Sequence, residues 1–148
     1  MAKVVKKKTV KKKKGKKNVQ AIKSTLDGIK FASNLEKFCY TELKAEGLTD
    51  NLKYEGKTFV IVDKFEFQGK KYQNIKITPD FVDEENMVII ECKGYMRQNA
   101  LFPMRWKLMK KHFADNGLDY DIHLVFNQGE IKEAIKQVKL KHYINYGI

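Results

Sequence analysis

The spacing of apolar residues along the chain predicts three helices. Ser33-Asn34-Leu35-Glu36 is a capping-box pattern, and Gly47 suits the end of the helix that follows it. Pro103 fits a first helical turn, and Asn116-Gly117 suits a helix stop. Apolar residues recur three and four positions apart in the first and third segments. The helices are predicted at about 34–46, 103–115 and 130–141.

Alternation of apolar and polar residues predicts that the middle of the chain is rich in strands. Asp27-Gly28 is a turn signal between the start of the domain and a short extended segment, Gly69 lies in the turn between two strands, and the acidic turn 83–86 joins two more. The order of helix, several strands, helix, strand and helix predicts an α/β domain, an α+β arrangement of one mixed sheet flanked by helices. Strands are expected at 28–31, 58–67, 72–77, 81–82, 87–92 and 120–126.

The length of 148 residues suits one domain with its own core. We assign 18–148 to this domain, beginning with a polar, helix-compatible linker over 18–26. No apolar run approaches a membrane span, and the lysine-rich start lacks the apolar stretch of a signal peptide. We therefore expect a cytoplasmic protein with no membrane partner. Cys39 and Cys92 are expected to be buried thiols rather than a disulfide or a zinc site.

Positive charge is concentrated at the start of the chain. Residues 1–17 hold ten lysines and no acid, which leaves +2 of the total net charge of +12 for the rest of the chain. Such a segment cannot bury a core, so we expect a disordered arm that neutralises phosphates. Nucleic acid is the favoured partner and a solubility tail is the alternative. The densest run of lysines is Lys11, Lys12, Lys13 and Lys14.

An acid and a base end an otherwise apolar strand, because Val88-Ile89-Ile90 leads directly into Glu91, Cys92 and Lys93. Side chains two apart in a strand share a face, so Glu91 and Lys93 should project together while Cys92 points into the core. If the acidic turn closes a hairpin, Asp80 lies near Glu91 across the ladder. Two carboxylates suffice for Mg²⁺, which prefers oxygen ligands and keeps several waters. The backbone carbonyl of Cys92 could be a third ligand.

Phosphodiester hydrolysis is the chemistry that such a site suits. A bound Mg²⁺, or Mn²⁺ in its place, would neutralise the phosphate and lower the pKa of a bound water. Lys93 could orient that water, help to deprotonate it, or stabilise charge on the phosphorus. The alternative is structural, in which Asp80 satisfies turn amides and Glu91 forms an exposed ion pair with Lys93.

The same residues resemble a family of nucleases. Thr78-Pro79-Asp80-Phe81 followed by VIIECKG is similar to the P-D…(D/E)-x-K pattern of the PD-(D/E)xK nuclease superfamily. DGIKFASNLEKFCYTEL, TPDF, ECKG and DIHLVF, in that order, resemble the phage endonuclease I type of Holliday-junction-resolving enzyme and a related group of small phage nucleases. The resemblance spans about 27–126 and implies a restriction-endonuclease-like core.

The resemblance implies a catalytic role for four residues. Asp80 and Glu91 would be metal ligands, and Lys93 would be the catalytic lysine. Glu36 on the first helix would complete the metal site. Glu36 is also the acid of the capping box, where its carboxylate would bond the N-cap amide. One carboxylate cannot fully satisfy both roles, and the resemblance favours the metal.

Basic residues cluster on and before the second predicted helix. Helical spacing allows Lys107, Lys110 and Lys111 to share a face. Arg105 lies two residues before Lys107 and does not lie close to that face. These residues could contact phosphates beside the site, or they could form the solvated face of an amphipathic helix. The cluster comprises Arg97, Arg105, Lys107, Lys110 and Lys111.

Together these features predict a Mg²⁺-dependent endodeoxyribonuclease that cuts branched DNA, as a Holliday junction resolvase does in recombination. Two symmetric cuts require a two-fold dimer, so a homodimer is expected. If the chain is phage-encoded, it would act in the host cytoplasm. Two alternatives remain open. One is a non-catalytic basic DNA-binding protein, and the other is a general or nicking phage nuclease with the same site residues and no junction specificity.

Overall fold

The computed structural model describes residues 24–94 and 101–146, and the predicted arm at 1–17 lies outside them. The described residues form three helices and ten strands. The helices are α1 (Asn34–Ala45), α2 (Leu101–Asn116) and α3 (Gln128–Tyr146). The strands are β1 (Ser24–Leu26), β2 (Ile29–Phe31), β3 (Leu52–Tyr54), β4 (Phe59–Val62), β5 (Phe65–Phe67), β6 (Lys70–Tyr72), β7 (Ile75–Ile77), β8 (Phe81–Asp83), β9 (Val88–Cys92) and β10 (Asp121–Val125).

A mixed sheet flanked by helices forms the centre of the fold, as the sequence predicts, but it does not include all the strands: β1–β2, β4–β7 and β5–β6 are three separate two-stranded pairs. Its strand order is β10-β9-β8-β3, in which β10 and β9 run parallel and the other neighbours run antiparallel. The acidic turn joins β8 and β9 as an antiparallel hairpin, in which Phe81 pairs with Ile90. This register brings the start of β8 beside the end of β9.

Both faces of this sheet are covered, which explains why β9 is apolar along most of its length. On one face, Val88, Ile90 and Cys92 pack in a core with residues of α1 and α3. On the other face, Ile89 packs in a second core with α2, β4 and β7. Glu91 follows the parity of Ile89, so it projects towards the α2 side at the point where the strand ends.

The predicted helices are confirmed, with small differences at their ends. Ser33 is the N-cap of α1, and its side chain accepts a hydrogen bond from the Glu36 N–H. Gly117 ends α2 with φ +64°, a conformation that glycine adopts without a Cβ clash, and the Leu118 N–H donates to the Phe113 carbonyl. The third helix is longer than its apolar pattern, and it extends to Tyr146.

The two long strands predicted at 58–67 and 72–77 are each interrupted. The inner parts, β4 and β7, pair with a register shift between Val60 and Val62. The outer parts, β5 and β6, form a separate two-stranded ribbon. Gln68 (φ +49°) and Gly69 (φ +75°) both have positive φ at its tip, the geometry of a type I′ hairpin turn.

Two further differences concern short strands. The end of the predicted linker, from Ser24, is strand β1, which pairs with β2 through the Asp27-Gly28 turn. Strand β3 was not predicted, because three residues are too few to establish an alternating pattern. Both Cys39 and Cys92 are buried free thiols, as expected. None of the described helices is both long enough and apolar enough to cross a membrane.

Candidate active site

The β8–β9 hairpin brings Asp80 and Glu91 together, as the sequence predicts. The pairing of Phe81 with Ile90 places Asp80 next to Glu91. The Asp80 N–H donates to Glu91 Oε2 at 2.9 Å, and the Cys92 N–H donates to Asp80 Oδ2 at 2.8 Å. Each carboxylate is therefore held by a main-chain amide of the opposite segment. The separation of the two acids is set by the strand register.

Lys93 projects on the same side as Glu91 and closes the site towards α2. Its Nζ lies 2.6 Å from Glu91 Oε1 and 4.4 Å from the centroid of the Phe102 ring. A cation over an aromatic face is attracted by the ring electrons. The Lys93 N–H donates to the Val125 carbonyl at 2.9 Å, which extends the parallel pairing by one residue. The ammonium group is therefore fixed between a carboxylate and an aromatic ring.

Glu36 is buried at the start of α1, where its carboxylate makes three hydrogen bonds. Glu36 Oε1 accepts from the Ser33 hydroxyl at 2.9 Å, and Oε2 accepts from the Ala32 N–H at 3.1 Å and the Tyr54 hydroxyl at 2.5 Å. This is a variant of the capping box, in which the acid reaches the amide before the N-cap. Both oxygens therefore have partners in the cap. A metal role for Glu36 remains a prediction.

Tyr54 is a residue of this region that sequence reasoning missed. It lies on β3, and its ring packs edge-on against Phe31 and at a tilt against Phe81. Burial and the hydrogen bond to Glu36 raise the pKa of the Tyr54 hydroxyl, so it stays a donor to the carboxylate. Nothing in the local pattern around Tyr54 indicated this contact, because it joins segments 18 residues apart.

Negative charge is in excess at the site. The relative exposures of Glu36, Asp80 and Glu91 are 6%, 9% and 3%. Burial and the charge of Glu91 raise the pKa of Asp80 to about 8, with Glu36 adding to the effect, against the lowering effects of the Cys92 amide and Lys93. One lysine does not balance these acids, and the arrangement has the electrostatics of a cation site.

Lys93 is held in its charged form. Burial disfavours the ammonium, but the hydrogen bond to Glu91 and the charges of Glu91, Asp80 and Glu36 outweigh burial and raise the pKa of Lys93. A lysine with a raised pKa is a poor general base at neutral pH. Of the predicted roles, electrostatic stabilisation and positioning of a water suit this geometry better than proton abstraction.

The donors at the hairpin fit a magnesium ion. Asp80 and Glu91 offer hard carboxylate oxygens, and the Cys92 carbonyl lies on the same strand end. Within residues 24–94 and 101–146, no three His, Cys, Asp or Glu side chains form a cluster positioned to hold a metal. Mg²⁺ does not require such a cluster, since one or two carboxylates with waters and substrate phosphates suffice. To bind the same ion, the Glu36 oxygens would have to give up their hydrogen bonds with Ala32, Ser33 and Tyr54.

The Cys92 thiol belongs to the core rather than to the site. A hydrogen bond with Cys39 and burial raise the pKa of the Cys92 thiol well above its usual range. A neutral buried thiol is a poor metal ligand and a poor nucleophile. Only the main chain of Cys92 is therefore offered to the site.

The predicted basic cluster is only partly described. Arg105, Lys107, Lys110 and Lys111 are all exposed on α2, while Arg97 lies outside the described residues, as do Lys11 to Lys14. Lys111 forms an ion pair with Asp115 at 2.7 Å, and Lys110 lies 6.0 Å from the Trp106 ring. Trp106 itself is buried in the core. Arg105 and Lys107 have no ion pair with another described residue.

Comparison with known proteins gives a family and no assigned function. No curated protein and no solved structure matches the chain. One family model matches residues 10–128, more than half of the chain, and this stretch includes Glu36, Asp80, Glu91 and Lys93. The chain therefore belongs to the DUF1064 family, which is described as a protein of unknown function.

Proposed function

We propose that this protein is a metal-dependent endodeoxyribonuclease with a PD-(D/E)xK core. The observation that carries the proposal is the pair of buried carboxylates, Asp80 and Glu91, held side by side with Lys93 in contact. Adjacent buried carboxylates are costly unless protonated or neutralised. A pKa of about 8 for Asp80 expresses that cost. A divalent cation would remove it.

Asp80, Glu91 and the Cys92 carbonyl would hold the Mg²⁺ or Mn²⁺ ion. When bound, the ion would neutralise the scissile phosphate and lower the pKa of a water. Asp80 Oδ2 and Glu91 Oε2 stay bonded to main-chain amides, which keeps both carboxylates in position. Lys93, as a cation, would orient the attacking water or stabilise charge on the phosphorus.

The preferred substrate in this proposal is branched DNA, on the strength of the resemblance to junction-resolving enzymes. The basic arm at 1–17 and the exposed side chains of Arg105 and Lys107 would contact phosphates without reading sequence. We also propose a homodimer, because two symmetric cuts need two sites related by a two-fold axis. Sedimentation that shows only monomers, at high concentration and with junction DNA, would contradict the dimer.

The test is cleavage of a labelled four-way junction beside a matched linear duplex, with Mg²⁺. Glu91→Ala is the test variant, and Glu85→Ala is its matched control, because Glu85 is an exposed glutamate in the turn at the other end of the same hairpin. Paired symmetric cuts in the junction alone, lost in Glu91→Ala and kept in Glu85→Ala, would establish a resolvase. Equal cutting of both substrates would leave a general or nicking nuclease. Cutting that survives in Glu91→Ala would refute the site.

A DNA-binding protein without catalysis is the second candidate, and one observation favours it. Each acid already has structural partners: Asp80 binds the Cys92 amide, and Glu91 binds both the Asp80 amide and Lys93. In that case the acids would only tie the hairpin together. Tight DNA binding by wild type and Glu91→Ala alike, with no cutting in Mg²⁺ or Mn²⁺, would select this function.

A further inference from the structure

The ribbon formed by β5 and β6 exposes large aromatic side chains. The relative exposures of Phe65, Phe67 and Tyr72 are 51%, 60% and 37%. A two-stranded hairpin has no core of its own and is marginally stable in water. A cluster of exposed aromatic rings on such an element is a common sign of a binding surface. Neither the proposed metal site nor the predicted basic cluster includes these residues.

The register of the ribbon places the aromatic residues on one face. Phe65 pairs with Tyr72, and Phe67 pairs with Lys70, so these four side chains share a face. The Phe65 and Tyr72 rings stack with centroids 4.9 Å apart and planes 9° apart, and Lys70 Nζ lies 5.3 Å from the Tyr72 centroid. We call these four residues the aromatic face. It combines flat rings with a cation.

The charge of the ribbon suits a polyanion. Residues 65–72, which form the ribbon and its turn, contain two lysines and one glutamate. Glu66 pairs with Lys71 on the opposite face, so the aromatic face carries Lys70 and no acid. A nucleic acid strand offers what this face lacks, namely negative charge and flat bases.

The ribbon lies within reach of the proposed active site. Its strands follow β4 and precede β7, and β7 leads through Pro79 to Asp80. Eight peptide units separate Tyr72 from Asp80, which limits their distance to about 29 Å of extended chain. A DNA strand in duplex geometry spans that distance in about nine nucleotides, at about 3.4 Å each. One bound DNA strand could therefore contact both the ribbon and the proposed active site.

We propose that the aromatic face stacks on unpaired bases of the DNA bound at the Asp80–Glu91 site. The inference rests on the proposed nuclease function and adds a preference for substrate with single-stranded character. Unpaired bases present their faces to the rings, whereas bases in a duplex stack on each other. A second copy of the chain suits the face less well, because a two-fold contact would place Lys70 of both copies in one interface.

The test measures DNA binding in EDTA, where no cutting occurs, by fluorescence anisotropy. The probes are a labelled single-stranded oligonucleotide and a duplex of the same sequence. Phe67→Ala should weaken single-strand binding on the order of tenfold and duplex binding much less, while Phe67→Trp should keep the wild-type affinity. Leu140→Ala, which truncates an exposed apolar residue on α3, is the matched control and should change neither. Circular dichroism checks that each variant is folded.

Two results would overturn this inference alone, and a third would remove the nuclease proposal as well. Equal single-strand affinity for wild type and Phe67→Ala, in a protein that still cuts DNA with Mg²⁺, removes only the role of the aromatic face. Dissociation of a dimer by Phe67→Ala, with unchanged DNA affinity, assigns the face to a second copy instead. A wild-type protein that neither binds nor cuts DNA removes both proposals.

Discussion

The Asp80 N–H donates to Glu91 Oε2 at 2.9 Å, so that one acid of the site is bonded to the backbone of the other. The Cys92 N–H returns a bond to Asp80 Oδ2 at 2.8 Å. These bonds belong to the hairpin, and they make the two carboxylates part of the rigid sheet. A site carried by strands is held more precisely than one carried by loops.

The stability of the folded protein should depend on pH because Asp80 titrates. Its pKa is about 8 in the folded protein against an ordinary 3.8, so the folded state retains a proton that the unfolded chain releases. Without metal, the stabilisation from this group is therefore lost as pH rises from about 4 to about 8. Asp80→Asn should weaken this decline and raise the Tm above that of wild type at high pH.

Thermal denaturation in EDTA across this pH range measures the effect. Glu85→Gln, at an exposed acid of the same hairpin, is the control and should follow wild type. Parallel pH profiles for wild type and Asp80→Asn would show that Asp80 is not the titrating group.

Lys93→Met should separate catalysis from metal binding. Removing the cation should slow Mg²⁺-dependent cutting on the order of 100-fold or more, because a charge that stabilises the transition state is lost. It should not weaken Mg²⁺ binding, since less positive charge remains beside Asp80 and Glu91. A tenfold excess of Mg²⁺ over its Kd should still raise stability by about 1.4 kcal/mol.

The measurements are single-turnover cleavage and the shift of Tm with added Mg²⁺ at pH 8. Asp80→Asn is the control for loss of a metal ligand. It should lose both Mg²⁺-dependent cutting and the rise in Tm on addition of Mg²⁺. Loss of the Mg²⁺ shift in Lys93→Met would argue that Lys93 holds the site together instead of acting on the substrate.

Glu36→Gln and Ser33→Ala should distinguish the cap from the metal role. Ser33→Ala removes the hydroxyl that bonds the Glu36 N–H and carboxylate, at a cost of about 0.5–2 kcal/mol in stability. It changes no proposed ligand, so cutting by the folded protein should persist. If Glu36 is only a cap, Glu36→Gln should behave in the same way, with a lower Tm and normal cutting.

The readouts are Tm and the cleavage rate, both measured well below the Tm of each variant. A Glu36→Gln protein that is as stable as Ser33→Ala but cuts at least 100-fold more slowly would place Glu36 at the metal. Tyr54→Phe is a further variant for the same two measurements, because it removes the hydroxyl that donates to Glu36 and leaves the Glu36 carboxylate in place.

Deletion of 1–17 should flatten the salt dependence of DNA binding. Each phosphate that the arm neutralises contributes about 0.9 to the slope of log K against log salt for duplex DNA. The ten lysines of the arm should therefore account for much of the slope, with little effect on the sequence preference. Titrations at several salt concentrations measure it, and an unchanged slope would exclude the arm from binding.

Local sequence was sufficient to predict much of this fold. The capping residue Ser33, the stop at Gly117 and the turn at Asp27-Gly28 act within a few residues of themselves, so their positions follow from the chain alone. The same holds for the nearness of Asp80 and Glu91, which needs only a hairpin and the two-residue period of a strand.

Contacts between distant segments were decided only in the tertiary structure. The hydrogen bond from Tyr54 to Glu36 depends on β3 joining the edge of the sheet, and the position of Lys93 over the Phe102 ring depends on how α2 packs against it; no local pattern records either contact. The raised pKa of Asp80 likewise needs burial by several elements at once. Sequence therefore determined which groups could form a site, and packing determined their charge states and partners, because both depend on neighbours from elsewhere in the chain.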